Sequence, residues 1–422
     1  MRPPQHTTPF PASGGRVRGW GPVFLMKILV LNCGSSSLKY KVFDGKEVIA
    51  QGGVEKIGLA DSFLKLTAPD GEKVVVEHNM PEHTAAVEFV FSEHLLNPKY
   101  GVLKSADEIQ AVGHRVLHGA MKVTKSSLVT DELIEIVKEC SVLGPLHNPA
   151  NLKGIMAVKA LMPNVPQVAV FDTAFHQTMP PKAYMYAIPK EMFDKWGVRR
   201  YGFHGTSHRF VSKRAIEYLG LDPNNSKLIV AHVGNGASMS AVVNGKCVDT
   251  TMGLTPLEGL VMGTRSGDID AAAVTFMMEK EGMTPAQMDT MLNKKSGMLG
   301  MCGCSDMRDA QAQMEAGNED AKIALEVYAY RLKKYIGAYA AAMGGVDAIA
   351  FTGGVGENHV LVRSMVLSDM EFLGIKLDAE KNKVRGEETI ISAADSKVVV
   401  AVVPTDEELM IATDTEEIVS AL

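Results

Sequence analysis

The sequence predicts an α/β protein of two duplicated domains, each with a mixed sheet flanked by helices, that face each other across an active-site cleft. The chain has 422 residues, of which 46% are hydrophobic, so it can bury more than one core. Residues 27–46 and 227–246 share a strand, loop and hairpin pattern, and a small-residue loop interrupts both segments. These observations favour duplication of one α/β unit.

The two segments align without a gap. KILVLNCGSSSLKYKVFDGK stands against KLIVAHVGNGASMSAVVNGK, so an apolar strand, a glycine loop and an alternating second strand coincide. Each then reaches a dipeptide that tolerates the positive φ angles of tight hairpins, Asp44-Gly45 or Asn244-Gly245. Chance similarity between short apolar segments is the alternative, and the coincident lysines and glycines favour duplication over it.

The glycine loops at Gly34 and Gly234 suit anion binding. A Gly/Ser-rich turn exposes backbone N–H groups without side-chain obstruction, and oriented N–H groups form a concave anion site. Two such loops facing one cleft are expected to hold a polyphosphate. For either loop alone, a simple hairpin connection is the alternative.

Composition argues against several classes of protein. The net charge of −6 gives no footprint for nucleic acid or an anionic membrane, and no apolar run has the length of a transmembrane helix. Five scattered cysteines argue against a disulfide framework and for a cytoplasmic location. The close pair Cys302 and Cys304 is interpreted as two loop residues and not as a metal site. Residues 1–25 are expected to be a disordered N-terminal extension, without the apolar core of a secretory signal.

Two common nucleotide-binding motifs are not found. The chain contains no G-x-x-x-x-G-K-[ST] sequence, so a P-loop is not supported. GNGASM at Gly234 and GVGENH at Gly354 both fail to complete G-x-G-x-x-G. A dinucleotide-binding oxidoreductase is therefore not favoured.

Motifs throughout the chain after Met26 resemble the acetate kinase family. They occur in order at the positions given: LNCGSSSLKY at 31, GHRVLHG at 113, PLHNP at 145, FDTAFH at 171, YGFHGTSH at 201, HVGNGAS at 232, MGTRSGDID at 262, SDMRD at 305, FTGGVGEN at 351 and PTDEEL at 404. The resemblance implies actin-like, ribonuclease H-like ATPase domains, in agreement with the duplication.

The resemblance also implies an activity, which is reversible phosphorylation of acetate by ATP to give acetyl phosphate and ADP. A homodimer with Mg²⁺, or with Mn²⁺ in its place, is expected, and no nucleic acid or membrane partner. Two alternatives stay open: a propionate or other short-chain acyl kinase on the same scaffold, and a non-catalytic actin-like ATPase module that only binds nucleotide.

Four residues resemble the family's catalytic groups: Arg115, Asp172, His204 and Arg265. Arginine forks suit carboxylate and phosphate oxygens, and a histidine can donate a hydrogen bond to the transferring phosphoryl group. A carboxylate substrate is already ionised at neutral pH, so we expect Asp172 to orient Arg115 or the metal and not to act as a base. His147 and His208 are expected to have structural roles.

The resemblance implies further ligands. Asn32 and Glu407 are the expected magnesium ligands, with the adjacent Glu408 as the alternative to Glu407. The expected substrate-binding residues are Arg115, Leu117, Leu146, Phe203 and Pro256. Leu117 stands where the family commonly has the smaller valine. The expected nucleotide-binding residues are Ser35, Ser37, Lys39, His232, Val233, Gly234, Asn235, Gly236, Asp306, Met307, Arg308, Gly354, Val355, Gly356, Glu357 and Asn358.

The expected domain boundaries follow from the duplication and the motifs. Residues 26–172 with 405–422 are expected to form the first domain, which holds the first phosphate loop, the metal and the acyl substrate. Residues 173–404 are expected to form the second, nucleotide-binding domain. A final helix from Glu407 to Leu422 would return to the first domain.

Overall fold

The computed structural model describes residues 25–45, 47–145 and 147–422. The predicted N-terminal extension therefore lies, except for Leu25, outside the described residues. So does Leu146, a predicted substrate-binding residue. Among the described residues, no helix combines the length and the apolar character needed to cross a bilayer.

The first sheet lies between residues 28 and 171 and has the strand order β5-β4-β3-β2-β1-β6-β8-β7. β1, β6 and β8 are parallel, and the other neighbouring strands are antiparallel. Its strands are β1 (Ile28–Cys33), β2 (Ser37–Asp44), β3 (Glu47–Glu55), β4 (Phe63–Thr67), β5 (Lys73–Glu77), β6 (Ala111–Val116), β7 (Ser127–Leu128) and β8 (Gln167–Phe171).

The second sheet lies between residues 227 and 402 and has the order β11-β10-β9-β12-β14-β13. β9, β12 and β14 are parallel, and the remaining pairs are antiparallel. Its strands are β9 (Lys227–Val233), β10 (Ala237–Val243), β11 (Lys246–Thr250), β12 (Ala348–Thr352), β13 (Thr389–Ile390) and β14 (Val399–Val402).

The two sheets repeat one topology, which confirms the predicted duplication. Strands β3-β2-β1-β6-β8-β7 of the first sheet correspond to β11-β10-β9-β12-β14-β13 of the second, with the same pattern of parallel and antiparallel pairs. Both predicted hairpin turns use positive φ angles, at Gly45 (63°) and at Asn244 (53°) with Gly245 (74°). Only β4 and β5 extend the first sheet beyond the shared unit.

Helices cover both sheets. They are α1 (His83–Val90), α2 (Asp131–Glu139), α3 (Asn148–Leu161), α4 (Pro181–Tyr184), α5 (Lys190–Trp196), α6 (Gly205–Tyr218), α7 (Ala271–Glu281), α8 (Pro285–Lys294), α9 (Gly297–Cys302), α10 (Met307–Glu315), α11 (Glu319–Met343), α12 (Gly353–Asn358), α13 (Val360–Leu367) and α14 (Glu407–Val419). The long α11 buries one apolar face against the second sheet, and α3 packs on the first.

The final helix, α14, packs on β1, β6 and β8 of the first sheet, although the strand before it belongs to the second sheet. Ile411 and Ala412 of α14 share a core with Ile28 and Val168. Asp406 caps the helix by accepting a hydrogen bond from Leu409 N at 3.0 Å. Helix α14 therefore packs on the first sheet, while the division of the chain into two domains at the expected boundaries stays a prediction.

Candidate active site

A cavity of about 220 Å³ lies between the two sheets. It is bordered by the loop after β1 and by the loop after β9, so the two predicted glycine loops share one hollow. The lining residues are Asn32, Cys33, Gly34, Arg115, Leu117, His147, Asn151, Asp172, Phe203, His204, Gly236, Pro256 and Arg265. All four predicted catalytic residues are thus brought together.

Arg115 is fixed at the C-terminal end of the parallel strands by two carboxylates. Its Nε donates to Asp172 Oδ1 at 2.9 Å and its Nη2 to Asp172 Oδ2 at 2.7 Å, a bidentate pair. Its Nη1 lies 3.2 Å from Glu407 Oε2. Burial alone would lower the pKa of Arg115, but Asp172 and Glu407 outweigh that effect and raise it. The guanidinium is therefore charged and held in one orientation.

Arg265 lines the same cavity, but its environment differs from that of Arg115. Its Nη1 donates to the carbonyl oxygen of Pro256 at 3.2 Å and lies 3.7 Å from Met262 Sδ. Within the described part of the chain, no carboxylate pairs with it. Burial lowers the pKa of Arg265, because a charged guanidinium loses hydration there. A buried cation of this kind favours an anionic ligand.

His204 stands at the N-terminus of α6 in a left-handed conformation, with φ 57° and ψ 22°. Positive φ is uncommon for a residue with a β-carbon and clusters at functional sites. The next residue must be glycine, because a Cβ on Gly205 would lie 2.1 Å from the carbonyl oxygen of Asp172. That oxygen accepts a hydrogen bond from Gly205 N at 2.9 Å. The backbone thus locks His204 beside Asp172.

The imidazole of His204 is neutral at physiological pH. Burial lowers its pKa well below the usual value, and His232 and Arg115 add to the effect. The His232 ring stacks on it with centroids 4.4 Å apart. A neutral imidazole carries one N–H, so it can donate one hydrogen bond into the cavity.

A second cavity, of about 620 Å³, lies on the other side of the loop after β9. It is lined by Gly234, Asn235, Gly263, Ser305, Asp306, Met307, Arg308, Gly354, Val355, Asn358, His359 and Arg385. Gly236 borders the smaller cavity and Gly234 the larger, so the loop separates the two. Half of the predicted nucleotide-binding residues, eight of sixteen, lie together here.

The predicted metal ligands supply oxygen donors only. Asn32 on β1 lines the small cavity, and Glu407 at the start of α14 lies beside Arg115. Burial raises the pKa of Glu407, Arg115 opposes this, and the Asp172 and Glu408 carboxylates raise it further. Carboxylates crowded in this way suit a hard divalent cation. Glu408 instead contacts Lys41, with 3.1 Å from Oε2 to Nζ, so Glu407 is the glutamate that pairs with Arg115.

Comparison with known proteins identifies the family. The model of the acetokinase family matches residues 27–413. The chain belongs to the acetokinase family. The acetate kinase of Phocaeicola vulgatus is 65% identical over 393 residues, which are 92% of this chain and 98% of that protein. The acetate kinase of Bacteroides thetaiotaomicron is 65% identical over 397 residues, 93% and 99% of the two chains.

Solved structures of acetokinase family relatives share the fold. The crystal structure of Porphyromonas gingivalis acetate kinase has a TM-score of 0.89 at 58% identity and covers 93% of this chain and 100% of that one. A propionate kinase from Francisella tularensis subsp. tularensis SCHU S4 has a TM-score of 0.87 at 40% identity, with the same coverage. The chain therefore has the two-domain actin-like ATPase fold, as predicted.

Some predicted ligands of this acetokinase family member lie outside both cavities. Glu357 accepts from Gly353 N at 2.8 Å and from Thr405 N at 3.3 Å, which stabilises the start of α12. His232 stacks behind His204. The remaining predicted residues that the structure describes outside these two linings are Ser35, Ser37, Lys39, Val233, Gly356 and the predicted metal ligand Glu407, which contacts Arg115.

The motifs also missed residues that line the cavities. His147, expected to be structural, and Asn151 border the small cavity. His359 and Arg385 border the large one. The PLHNP motif and the residue after GVGEN could have pointed to His147 and His359. Arg385 lies in an irregular segment without a motif, so no pattern signalled it.

Proposed function

We propose that this protein is an acetate kinase, which transfers the γ-phosphoryl group of ATP to a carboxylate oxygen of acetate and releases ADP and acetyl phosphate. The observation that carries the proposal is the pair of cavities on either side of the Gly234–Gly236 loop. The smaller one offers two guanidinium groups and an imidazole to a small acid. The larger one has the size and glycine-rich border that suit a nucleotide.

The transfer forms a bond between the acetate oxygen and the γ-phosphorus and breaks the bond to the β,γ-bridging oxygen of ATP. No proton needs to be removed, because a carboxylic acid with a pKa near about 4 is ionised at neutral pH. The protein must instead align two anions and offset their repulsion. Arg115 and Arg265, which line one cavity, would do so.

His204 would donate its N–H to an oxygen of the transferring phosphoryl group. The donation is worth most when charge shifts in the transition state, in a site from which water is excluded. Asp172 would act through Arg115, whose fork it holds at 2.7 and 2.9 Å. This positioning role needs no change in the protonation of Asp172.

We infer that Asn32 and Glu407 would hold Mg²⁺, or Mn²⁺ in its place, together with phosphate oxygens. The oxygen donor set and the crowded carboxylates at Glu407 support this. When bound, the ion would offset charge on the β- and γ-phosphates. Phosphorylation that persists in excess EDTA would contradict a metal requirement.

ATP and ADP would occupy the larger cavity, with the adenosine near the start of α12. A side chain added at Gly354 meets no protein atom within 4 Å and would project into open space. Gly354→Leu is therefore expected to raise the KM for ATP at least about 10-fold by filling the cavity, with an unchanged KM for acetate. Steady-state kinetics with each substrate varied checks this. An unchanged KM for ATP would indicate that the adenosine does not bind in this cavity.

The acyl preference is tested with acetate, propionate and butyrate, by trapping the acyl phosphate as its hydroxamate and by assaying ADP phosphorylation in reverse. We expect the highest kcat/KM for acetate. Leu117→Ala, which enlarges the small cavity, is expected to raise the propionate-to-acetate ratio about 10-fold, because one methylene is worth about 1–3 kcal/mol.

Leu133→Ala is the matched control, since Leu133 is equally buried but lies in a separate core away from the cavity. It should lower stability and leave the acyl preference unchanged. A wild-type preference for propionate would support the acyl kinase alternative. ATP binding without any acyl phosphate would support the non-catalytic module.

We infer a homodimer from the exposed apolar face of α7. None of its residues is buried in the single chain, and Phe276 is 59% exposed. Ile269, just before the helix, is exposed as well. Apolar surface of this kind marks protein contacts. A mass of about 45.5 kDa in analytical ultracentrifugation would contradict the dimer.

We also propose a cytoplasmic location, where ATP is available; the five free thiols of the described chain fit it.

A further inference from the structure

A buried chain of hydroxyl and imidazole groups leads away from His204. Its Nδ1 lies 2.9 Å from Ser238 Oγ, and the same oxygen lies 2.7 Å from His208 Nε2. His208 Nδ1 in turn lies 2.9 Å from Ser240 Oγ. Ser238, His208 and Ser240 have no exposed surface. The order of the chain is therefore Ser240, His208, Ser238, His204.

Secondary structure places these groups in line. Ser238 and Ser240 lie two residues apart on β10, so they share one face of the strand. His208 lies in the first turn of α6 and His204 directly precedes the helix, and the backbone hydrogen bond from His208 N to His204 O at 2.9 Å holds the two residues close together. Strand and helix thus present alternating hydroxyl and imidazole groups to each other.

The direction of the hydrogen bonds follows from the Ser240 end. A serine hydroxyl has one hydrogen, and a buried donor without an acceptor is costly. Among the described residues, the only side-chain hydrogen bond of Ser240 is the one to His208 Nδ1. Ser240 therefore donates to Nδ1 of His208, and the hydrogen of His208 lies on Nε2.

The same one-hydrogen rule fixes the direction of the remaining side-chain hydrogen bonds between Ser240 and His204. His208 Nε2–H donates to Ser238 Oγ, which leaves the hydrogen of Ser238 for His204 Nδ1. His204 then accepts at Nδ1 and carries its own hydrogen on Nε2. His232, which stacks on His204, does not compete for the hydrogen of Ser238. The Nδ1 of His232 is hydrogen-bonded to Ser207 Oγ at 2.7 Å instead.

The Nε2 atom of His204 lies near Arg265 at the small cavity. A Cβ built on Gly236, in the loop between the two cavities, would lie 3.5 Å from this Nε2 and also 3.5 Å from Arg265 Nη1. The N–H is thus directed to the space beside Arg265. The other tautomer would present a lone pair there, which repels phosphate oxygens.

We propose that Ser238 and Ser240 are positioning residues that hold His204 in the Nε2–H tautomer, so that a donor faces the transferring phosphoryl group. The catalytic part of this inference rests on the proposed function. The serines touch no substrate; they act through the two histidines. Loss of a correctly placed donor to a developing charge costs about 10²–10³ in kcat, which sets the expected effect.

The tautomer is measured first, on the full chain without substrate, by long-range ¹H–¹⁵N correlation of ¹⁵N-histidine-labelled protein. His204→Gln identifies the His204 signals by their loss. We expect the Nε2–H pattern in the wild type and a mixture of tautomers in Ser238→Ala. Ser240→Ala should give a smaller change in the same direction. An Nδ1–H pattern in the wild type, or no change in Ser238→Ala, would overturn the proposal.

Kinetics supply the second measurement. Ser238→Ala is expected to lower kcat about 10²-fold with KM values for acetate and ATP within about threefold of the wild type, and Ser238→Thr, which keeps the hydroxyl, should recover activity. Ser226→Ala is the matched control, because Ser226 is buried and its hydroxyl has no partner in the described chain. A parallel rise in KM and fall in stability without a tautomer change would mean a structural role only.

The two measurements separate two kinds of failure. Because the tautomer is read without substrate, a wild type that forms no acetyl phosphate would contradict the proposed function and not the direction of the hydrogen bonds. An active wild type with an unaffected Ser238→Ala rate would contradict the positioning role.

Discussion

Replacement of Arg265 by alanine is expected to lower kcat for acetate phosphorylation about 10³-fold or more. Among the described residues, the hydrogen-bond partners of the guanidinium are the neutral atoms Pro256 O and Met262 Sδ, so its charge is available to a bound anion. An arginine that offsets charge on a transferring phosphoryl group is worth about 10³–10⁵ in rate. Steady-state kinetics of the purified variant, with both substrates saturating, measure the effect.

Stability gives the control for this variant. Because no carboxylate in the described chain depends on Arg265, its removal leaves no buried charge unpaired, and the unfolding midpoint should stay near that of the wild type. Added guanidinium ion is expected to restore part of the rate. Arg265→Lys keeps the charge but lacks the planar fork of the guanidinium, so its kcat should lie between those of the wild type and Arg265→Ala. Activity within about 10-fold of the wild type would rule out direct contact with the phosphoryl group.

Arg115→Leu is expected to affect both activity and stability. Asp172 has no exposed surface and would lose its bidentate partner, and Glu407 would lose the same cation. Removing one partner of a buried ion pair costs about 3–5 kcal/mol of unfolding free energy, because the other charge stays buried. Urea denaturation followed by circular dichroism should show this loss, and acetate phosphorylation should be abolished.

The double variant Arg115→Leu/Asp172→Asn separates the two effects. It should recover the part of the stability that is lost through the unpaired Asp172 charge, and none of the activity. Asp172→Asn alone is expected to lower kcat without changing the shape of the pH profile between pH 6 and 9. Loss of a basic limb in that profile would instead make Asp172 a general base.

The core of the fold could be predicted because the duplicated segments carry local signals. The strands on either side of Gly34 and Gly234, and the turns at Gly45 and Gly245, follow from side-chain alternation and from positive φ angles. The position of β4 and β5 at the edge of the first sheet could not be predicted. Pairing between strands depends on contacts that no local pattern encodes.

The candidate-site residues that lie in sequence motifs could be predicted. Arg115, His204 and Arg265 stand in glycine-flanked segments and meet in one cavity. The sequence could not predict which of Glu407 and Glu408 pairs with Arg115, because neighbouring residues on a helix point about 100° apart and the packing of α14 decides it. Glu357 stands in the right motif, yet its carboxylate stabilises the start of α12.

The packing of α14 also bears on synthesis. The hydrophobic surface formed by Ile28, Val30, Ala111 and Val168 is covered by Ile411 and Ala412, which follow the whole second sheet in the chain. Domains generally fold from the N-terminus as the chain leaves the ribosome. Here the core of the first sheet cannot close until α14, which follows the second sheet, has been translated. Nascent chains truncated before residue 407 would expose that surface and become clients for chaperones.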